Sequence, residues 1–366
     1  MYVQTTFALA LAALQAVSTA TVHQRDVLED IQKQAIAALN KAAGSENAPS
    51  TCNIFNAHVR KDWSVYPITI HRVFDTCALT FTTRATMAAA ERKSYTKAVN
   101  CLMSKPSMLD PAMVPGAKTR YGDFVAQHIN QTLSIHGTGN FLSWHRYFVW
   151  SYETALREEC HYQGYQPYWN WFSYQSNPTI SPVFDGSDTS MSGDGAFVAH
   201  NGSVGGAGAI FLPSGNGGGC IISGPFRNMT VNLGPISPTM AGETKVADKF
   251  AWNPRCLKRD LSAYTAEKWL VPNNLLNLTT GPAARNIETF QNELQGRFPQ
   301  GFLGLHAAGH SMIGGDAGDL FSSPSDPIFF CIMLRLPRPR LVDMAGLASI
   351  LGLYRGWNHY AFQQPA

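Results

Sequence analysis

A mainly α fold with long irregular loops is what this 366-residue sequence predicts, and three observations predict it. Segments with apolar positions at helical spacing recur through the first 160 residues and again near residue 290. Between them, from about 177 to 242, lies a Gly-, Ser- and Pro-rich stretch with little periodicity, a long excursion rather than a domain of its own. Charged residues make up only 14%, against roughly 25% in an average domain, while Gly (31) and Pro (21) are plentiful.

Residues 26–43 (DVLEDIQKQAIAALNKAA) and 88–103 (AAAERKSYTKAVNCLM) read as amphipathic helices. Two more, at 124–133 and 143–160, are joined by the Gly-rich turn HGTGN, since Gly supplies the backbone conformations that end a helix. After the loop region come helices at 284–297 and near 303–312, the second bearing histidines, and no solenoid repeat is present.

Bulk charge is small, 28 − 25 = +3, with no long basic or acidic run, so neither nucleic acid nor an anionic membrane surface is an expected partner. Residues 7–17 (FALALAALQAV) form an apolar run too short to span a bilayer, followed by the small-x-small pattern Ser18-Thr19-Ala20. This predicts a signal peptide over 1–20, a secreted or secretory-pathway protein and no membrane span. Sequons at Asn130, Asn201, Asn228 and Asn277 are candidate glycosylation sites compatible with that route. Seven cysteines, Cys52, Cys77, Cys101, Cys160, Cys220, Cys256 and Cys331, contain no CxxC pair, which argues against a zinc ribbon or a thioredoxin-type motif. In an oxidising compartment most should pair, and an odd count leaves at least one over.

The histidines carry the chemistry. QHINQTLSIHGTGNFLSWHRYFVWSYETALRE, residues 127–158, sets His128, His136 and His145 eight and nine residues apart, on a helix, a loop and the next helix. Three imidazoles delivered that way can converge on one point, provided each ring's other nitrogen is held by an acceptor. In GLHAAGHSMIGG, residues 304–315, His306 and His310 stand four apart, so on a helix both rings leave one face. Ala307 and Ala308 lie between them, so the Glu of a His-Glu-x-x-His protease is absent. A single buried histidine is more often a core residue than a ligand; five in two tight clusters are not explained that way. His23, His58, His71, His161, His200 and His359 have no such setting and read as surface or structural. The imidazoles alone permit copper, zinc, iron or nickel.

HINQTLSIHGTGNFLSWHRYFVWSYETALRE, QPYWNW at 166–171, HAAGHSMIGG and SPSDPIFF resemble the tyrosinase and catechol oxidase family of type-3 copper proteins, specifically its short fungal members, from about residue 90 to Phe330. The resemblance implies a four-helix bundle holding a dicopper centre. It implies two copper ions: copper A bound by His128, His136 and His145, and copper B with His306 and His310 as two of its ligands. It further implies O2-driven oxidation of an o-diphenol to an o-quinone, with monophenol hydroxylation in true tyrosinases, in fungal secondary metabolism or pigment formation. The implied partners are O2 and a phenolic small molecule, or tyrosine residues of a peptide if the chain is a dedicated biosynthetic oxidase. A non-catalytic or oxygen-binding copper protein is the rival from another class.

The chain also departs from the family pattern. Ser134 stands where some relatives have the cysteine of a Cys–His thioether, so no such cross-link is expected. Ala307 follows the first copper-B histidine where many tyrosinases have Asn, and Ser311 follows the second, which leans toward diphenol oxidation. The residue that would hold a water-borne base is sought among Glu288, Glu293 and Gln295. Relatives have His-His a few residues after Asp-Pro-x-Phe, whereas this chain continues Phe330-Cys331-Ile332-Met333-Leu334. Two explanations stand: an incomplete copper-B site, or a frameshifted tail over 331–366, since Phe-Cys-Ile-Met-Leu can be encoded so that a one-base shift reads Leu-His-His-Ala. Residues 65–85 lie where relatives run almost directly from Arg60-x-x-Trp63 to the AERKSY helix, and they read as an insert or a retained intron. The expected domains are thus 1–20, a tyrosinase-like copper domain over 21–330, and an atypical tail.

Overall fold

The computed structural model of the chain describes residues 61–63 and 87–335. The chain divides into two units, Met1–Val59 and Arg60–Ala366, and the first lies outside the described residues. So do the expected signal peptide, the 26–43 helix, Cys52, the 65–85 segment with Cys77, the tail beyond 335, and His23, His58, His71 and His359.

The described fold is mainly α, as expected. Helix α1 (Ala89–Ser104) opens with the Ala88 N–H donating to the Glu91 carboxylate at 2.8 Å. Helix α2 (Arg120–Ile135) begins four residues before the expected start, because Thr119 caps it by accepting from the Gly122 N–H. Helix α3 (Phe141–Cys160) buries Phe141, His145, Phe148, Tyr152 and Leu156 along one stripe, so His145 sits in the row that faces the core. His128 occupies the same kind of position on α2, between buried Val125 and Thr132.

Helices α4 (Ala263–Trp269) and α5 (Pro272–Thr279) were not legible in the sequence, being short and joined by only two residues. Helix α6 (Ile287–Gln295) is capped by Asn286, and α7 (Gly304–Ile313) carries His306 and His310. The one-turn α8 (Gly315–Gly318) and α9 (Phe329–Arg335) are the last helices among the described residues. Helix α9 packs on α3 and α7, its Phe330 stacked on Tyr152 and edge-on to Tyr121 of α2. Four helices, α2, α3, α7 and α9, therefore meet around the histidines. Close approach at α7 depends on Gly309: a Cβ there would lie 3.1 Å from the Trp171 ring and 3.3 Å from Ile332.

The excursion from 177 to 242 contains short antiparallel ribbons that its composition does not announce. Strand β1 (Gly195–Phe197) pairs with β4 (Gly218–Ile221), and β2 (Ser203–Gly205) with β3 (Ile210–Leu212), Val204 opposite Phe211. Strand β5 (Thr230–Val231) pairs with β6 (Arg255–Cys256). Disulfides join Cys101 to Cys160 and Cys220 to Cys256, the first tying the end of α1 to the end of α3. Cys331 is a free, buried thiol, the one left over among the described residues.

A fully buried ion pair fixes the entry to α9. The Arg259 guanidinium donates from Nε and Nη2 to the two oxygens of Asp326 at 2.7 and 2.8 Å, and neither side chain reaches solvent. Its Nη1 donates to the carbonyls of Ser192 and Gly193, which anchors the loop excursion to the Asp326-Pro327 turn. Among the described residues no helix is long and apolar enough to cross a membrane.

Candidate metal centre

All five predicted histidines come together. The rings of His128, His136 and His145 stand 5.0–5.6 Å apart, and one ligand atom from each lies within 4.8 Å of the others. On α7 the His306 and His310 rings are 4.8 Å apart. The two sets face each other, with His306 at 6.1 Å from His136 and 6.3 Å from His145.

Orientation follows from hydrogen bonding. His128 Nδ1 lies 2.7 Å from the Phe321 carbonyl, His136 Nδ1 3.0 Å from that of Thr132, His145 Nδ1 2.8 Å from that of Phe141, and His310 Nδ1 2.9 Å from that of Ala317. A carbonyl can only accept, so each Nδ1 carries the proton and the Nε2 lone pair points the other way. The Nε2 atoms of His128, His145 and His306 are buried with no hydrogen-bond partner among the described residues, an arrangement that proteins avoid unless something else occupies the lone pair.

Burial also keeps the rings neutral. It is the main cause that holds His128, His145 and His306 well below the ordinary imidazole range, neighbouring imidazoles adding to it. His136 is lowered by burial too, and His310 is brought down to about 4. Neutral imidazoles at pH 7 offer free lone pairs, which is what a borderline metal such as copper or zinc requires. The first cluster therefore fits a metal ion with three nitrogen ligands.

The second pair is a different case. The triad His128, His136 and His145 is the one group of three or more ligand-bearing residues among the described residues, so His306 and His310 have no third His, Cys, Asp or Glu grouped with them. The residues after Phe330 continue α9 into the core: Cys331, Ile332 and Met333 are all buried. The Cys331 thiol, pushed up by burial, accepts from Gln166 Nε2 at 3.7 Å.

Several residues at the site were not picked out from the sequence. The Phe329 ring stands between the two sets, 5.2 Å from His128 and 5.6 Å from His310. Phe141 lies 4.6 Å from His145 and 4.7 Å from His306. The acceptors Thr132 and Phe141 precede their histidines by four residues, a helical spacing that could have been read; Phe321 and Ala317 carry no such signal.

Glu288 is exposed, Glu293 pairs with Arg297 and Asn277, and Gln295 accepts from the Gly137 N–H. Ser134 is exposed and donates to the Gln131 carbonyl. His161 is exposed at the end of α3, and His200 lies 3.0 Å from buried Asp260, surface and structural as expected. Asn130, Asn201 and Asn228 are exposed, whereas the half-buried Asn277 amide donates to Glu293.

Comparison with known proteins agrees with this geometry. The common central domain of tyrosinase matches residues 118–332. "Tyrosinase P" of Aspergillus terreus is 42% identical over 253 residues, covering 67% of this chain and 69% of that protein. "N-acetyl-6-hydroxytryptophan oxidase ivoB" of Emericella nidulans is 38% identical over 292 residues, covering 76% and 72%. Among solved structures, a mutant polyphenol oxidase from Thermothelomyces thermophila superposes with a TM-score of 0.72 at 37% identity, covering 85% of this chain and 76% of that one. A domain match over more than half the chain, together with two clusters of inward-facing imidazoles on three helices and a connecting loop, establishes that this chain belongs to the tyrosinase family of oxidases, a family of type-3, dicopper proteins.

Proposed function

We propose that the chain is a copper-dependent oxidase of phenols, with His128, His136 and His145 holding copper A and His306 and His310 holding copper B. The observation that carries this reading is the set of buried Nε2 lone pairs without partners, each opposite an Nδ1 or a helix that fixes its ring. Two coppers bound there would supply the redox change by which O2 oxidises an o-diphenol to an o-quinone. The protein's own contribution is placement: backbone carbonyls hold the tautomers, and Phe141 and Phe329 wall the rings from water.

Proton handling favours diphenols over monophenols. Ala307 follows His306 and Ser311 follows His310, and Glu288 and Glu293 are turned to solvent or to other partners. None of the residues expected to hold a base is therefore an unengaged carboxylate at the rings. A phenolic metabolite is the favoured substrate class over a tyrosine-containing peptide, because one relative is named for oxidation of a hydroxylated tryptophan derivative. Two disulfides and three exposed sequons support a secretory route.

A second reading rests on the pair on α7. With two imidazoles and, among the described residues, no third ligand grouped with them, copper B is held weakly and turnover is low. Metal analysis with oxygen uptake on catechol and tyrosine separates the readings. About one tightly held copper per chain with slow catechol turnover supports the incomplete second site; near two coppers with robust turnover refutes it. No copper and no oxygen uptake would refute both.

A further inference from the structure

We propose that Gln295, together with Gln291, is a positioning residue for His136: helix α6 holds the loop between α2 and α3 from outside and so sets where the third imidazole of the first cluster stands.

His136 differs from its companions. His128, His145, His306 and His310 are borne within helices, whereas His136 is the C-cap of α2, where the helical hydrogen-bond ladder ends. The loop that follows, Gly137 to Asn140, has little to hold it. Gly137 is in the left-handed region (φ +66°), and a Cβ on Gly137 or Gly139 would meet nothing among the described residues within 4 Å. Its internal hydrogen bonds are short-range: His136 N–H to the Thr132 carbonyl, Phe141 N–H to the Thr138 carbonyl, and Thr138 to its neighbours. Segments of this kind are the ones that move most.

Among the described residues two long-range hydrogen bonds tie the loop down, and both come from α6. The Gly137 N–H donates to Gln295 Oε1 at 2.9 Å, and Gln291 Nε2 donates to the Gly139 carbonyl at 3.1 Å. Gln291 and Gln295 are four apart on one helix, so both amides leave the same face. One acts as acceptor and the other as donor, matching the N–H and C=O that the loop presents. Neither pairing is local, since the partners lie 158 and 152 residues apart in the chain.

Helix α6 also packs against α7, burying Phe290 and Leu294, and α7 carries His306 and His310. The same helix thus touches both halves of the site. Across that junction the His136 and His306 rings lie 6.1 Å apart and nearly parallel, at 24°. A strut contacting both halves keeps a loop-borne ligand in register with helix-borne ones, where errors of about 0.5 Å matter.

This inference rests on the reading of His136 as a copper ligand, and the test separates the two. Copper affinity of the full chain would be measured by competition with a chelator for the wild type, Gln295→Leu, Gln295→Glu, Gln291→Leu and His136→Ala. Gln295→Leu should weaken copper binding about tenfold, the low end of what loss of an outer support costs a metal site, because the support acts here through the backbone. Gln295→Glu, which keeps an acceptor for the Gly137 N–H, should stay within about twofold of the wild type. Thermal midpoints of the metal-free Gln295 variants should match the wild type, because the freed Gly137 N–H is exposed and water can replace the bond. If Gln295→Leu fails to fold, Gln291→Leu reads the second tie and should weaken copper binding several-fold. Affinity within twofold in both Leu variants, or Gln295→Glu as weak as Gln295→Leu, overturns the proposal. A wild type that takes up no copper, indistinguishable from His136→Ala, overturns the metal reading itself.

Discussion

Removing Asp326 is the sharpest test of what holds α9 against the histidines. In the folded chain its carboxylate accepts two bonds from Arg259 and one from the Ile328 N–H, all out of reach of water. Asp326→Ala leaves a guanidinium buried with no counter-charge among the described residues, held by the Ser192 and Gly193 carbonyls and the face of the Phe184 ring. Stranding one half of a buried ion pair costs about 3–5 kcal/mol. For a domain of this size each kcal/mol moves the melting midpoint by roughly 2–4 °C, so a fall of about 6–20 °C is expected. Circular dichroism melts of the metal-free protein read it directly. Replacing both partners, Arg259→Met with Asp326→Leu, should melt closer to the wild type than either single variant, because no unpaired charge remains. A single variant melting within about 2 °C of the wild type would refute the reasoning, and so would a double variant worse than the sum of the singles. Phe329 and Phe330 sit just beyond this turn, so a loosened pair should also disturb the wall beside His128 and His310.

Three further outcomes follow from the same geometry. His145→Ala should abolish tight copper binding while His161→Ala leaves it intact, since the first ring is buried in the cluster and the second is exposed; equal copper content in both would contradict the site. Replacing Cys101 and Cys160 together by Ser should lower stability to denaturant by about 4 kcal/mol, the loop-closure value for a bridge spanning 59 residues; no shift in the urea midpoint would count against the pairing. The metal-free protein should lose stability as pH falls from about 6.5 toward 4, because the unfolded histidines take up protons there while the buried ones stay neutral. For His310, held to about 4, the difference corresponds to about 3 kcal/mol, and a stability that rises over this range would disprove the burial argument.

Much of the site was legible because it rests on local spacing. The separations among His128, His136 and His145, and the four-residue step from His306 to His310, are properties of helices and the turn between them, and periodicity reports those directly. The helices α1, α2, α3, α6 and α7 were foreseen for the same reason, with boundaries shifted by a few residues where a cap such as Thr119 decides the start. The short elements escaped. Helices α4 and α5 have too few residues for a period to show, and β1 to β6 are two to four residues long within a stretch whose composition reads as loop.

By itself the sequence determined the fold class, the five histidines and the family likeness, since each is written in residue identity and short-range spacing. Only the tertiary structure decided which ring nitrogen faces inward, that Phe329 stands between the two sets, how the cysteines pair, and that α6 clamps the His136 loop. Those features depend on partners far apart along the chain, several of them backbone carbonyls and N–H groups. Every residue but proline carries both groups, so no pattern of side chains can single out the ones that a fold will use.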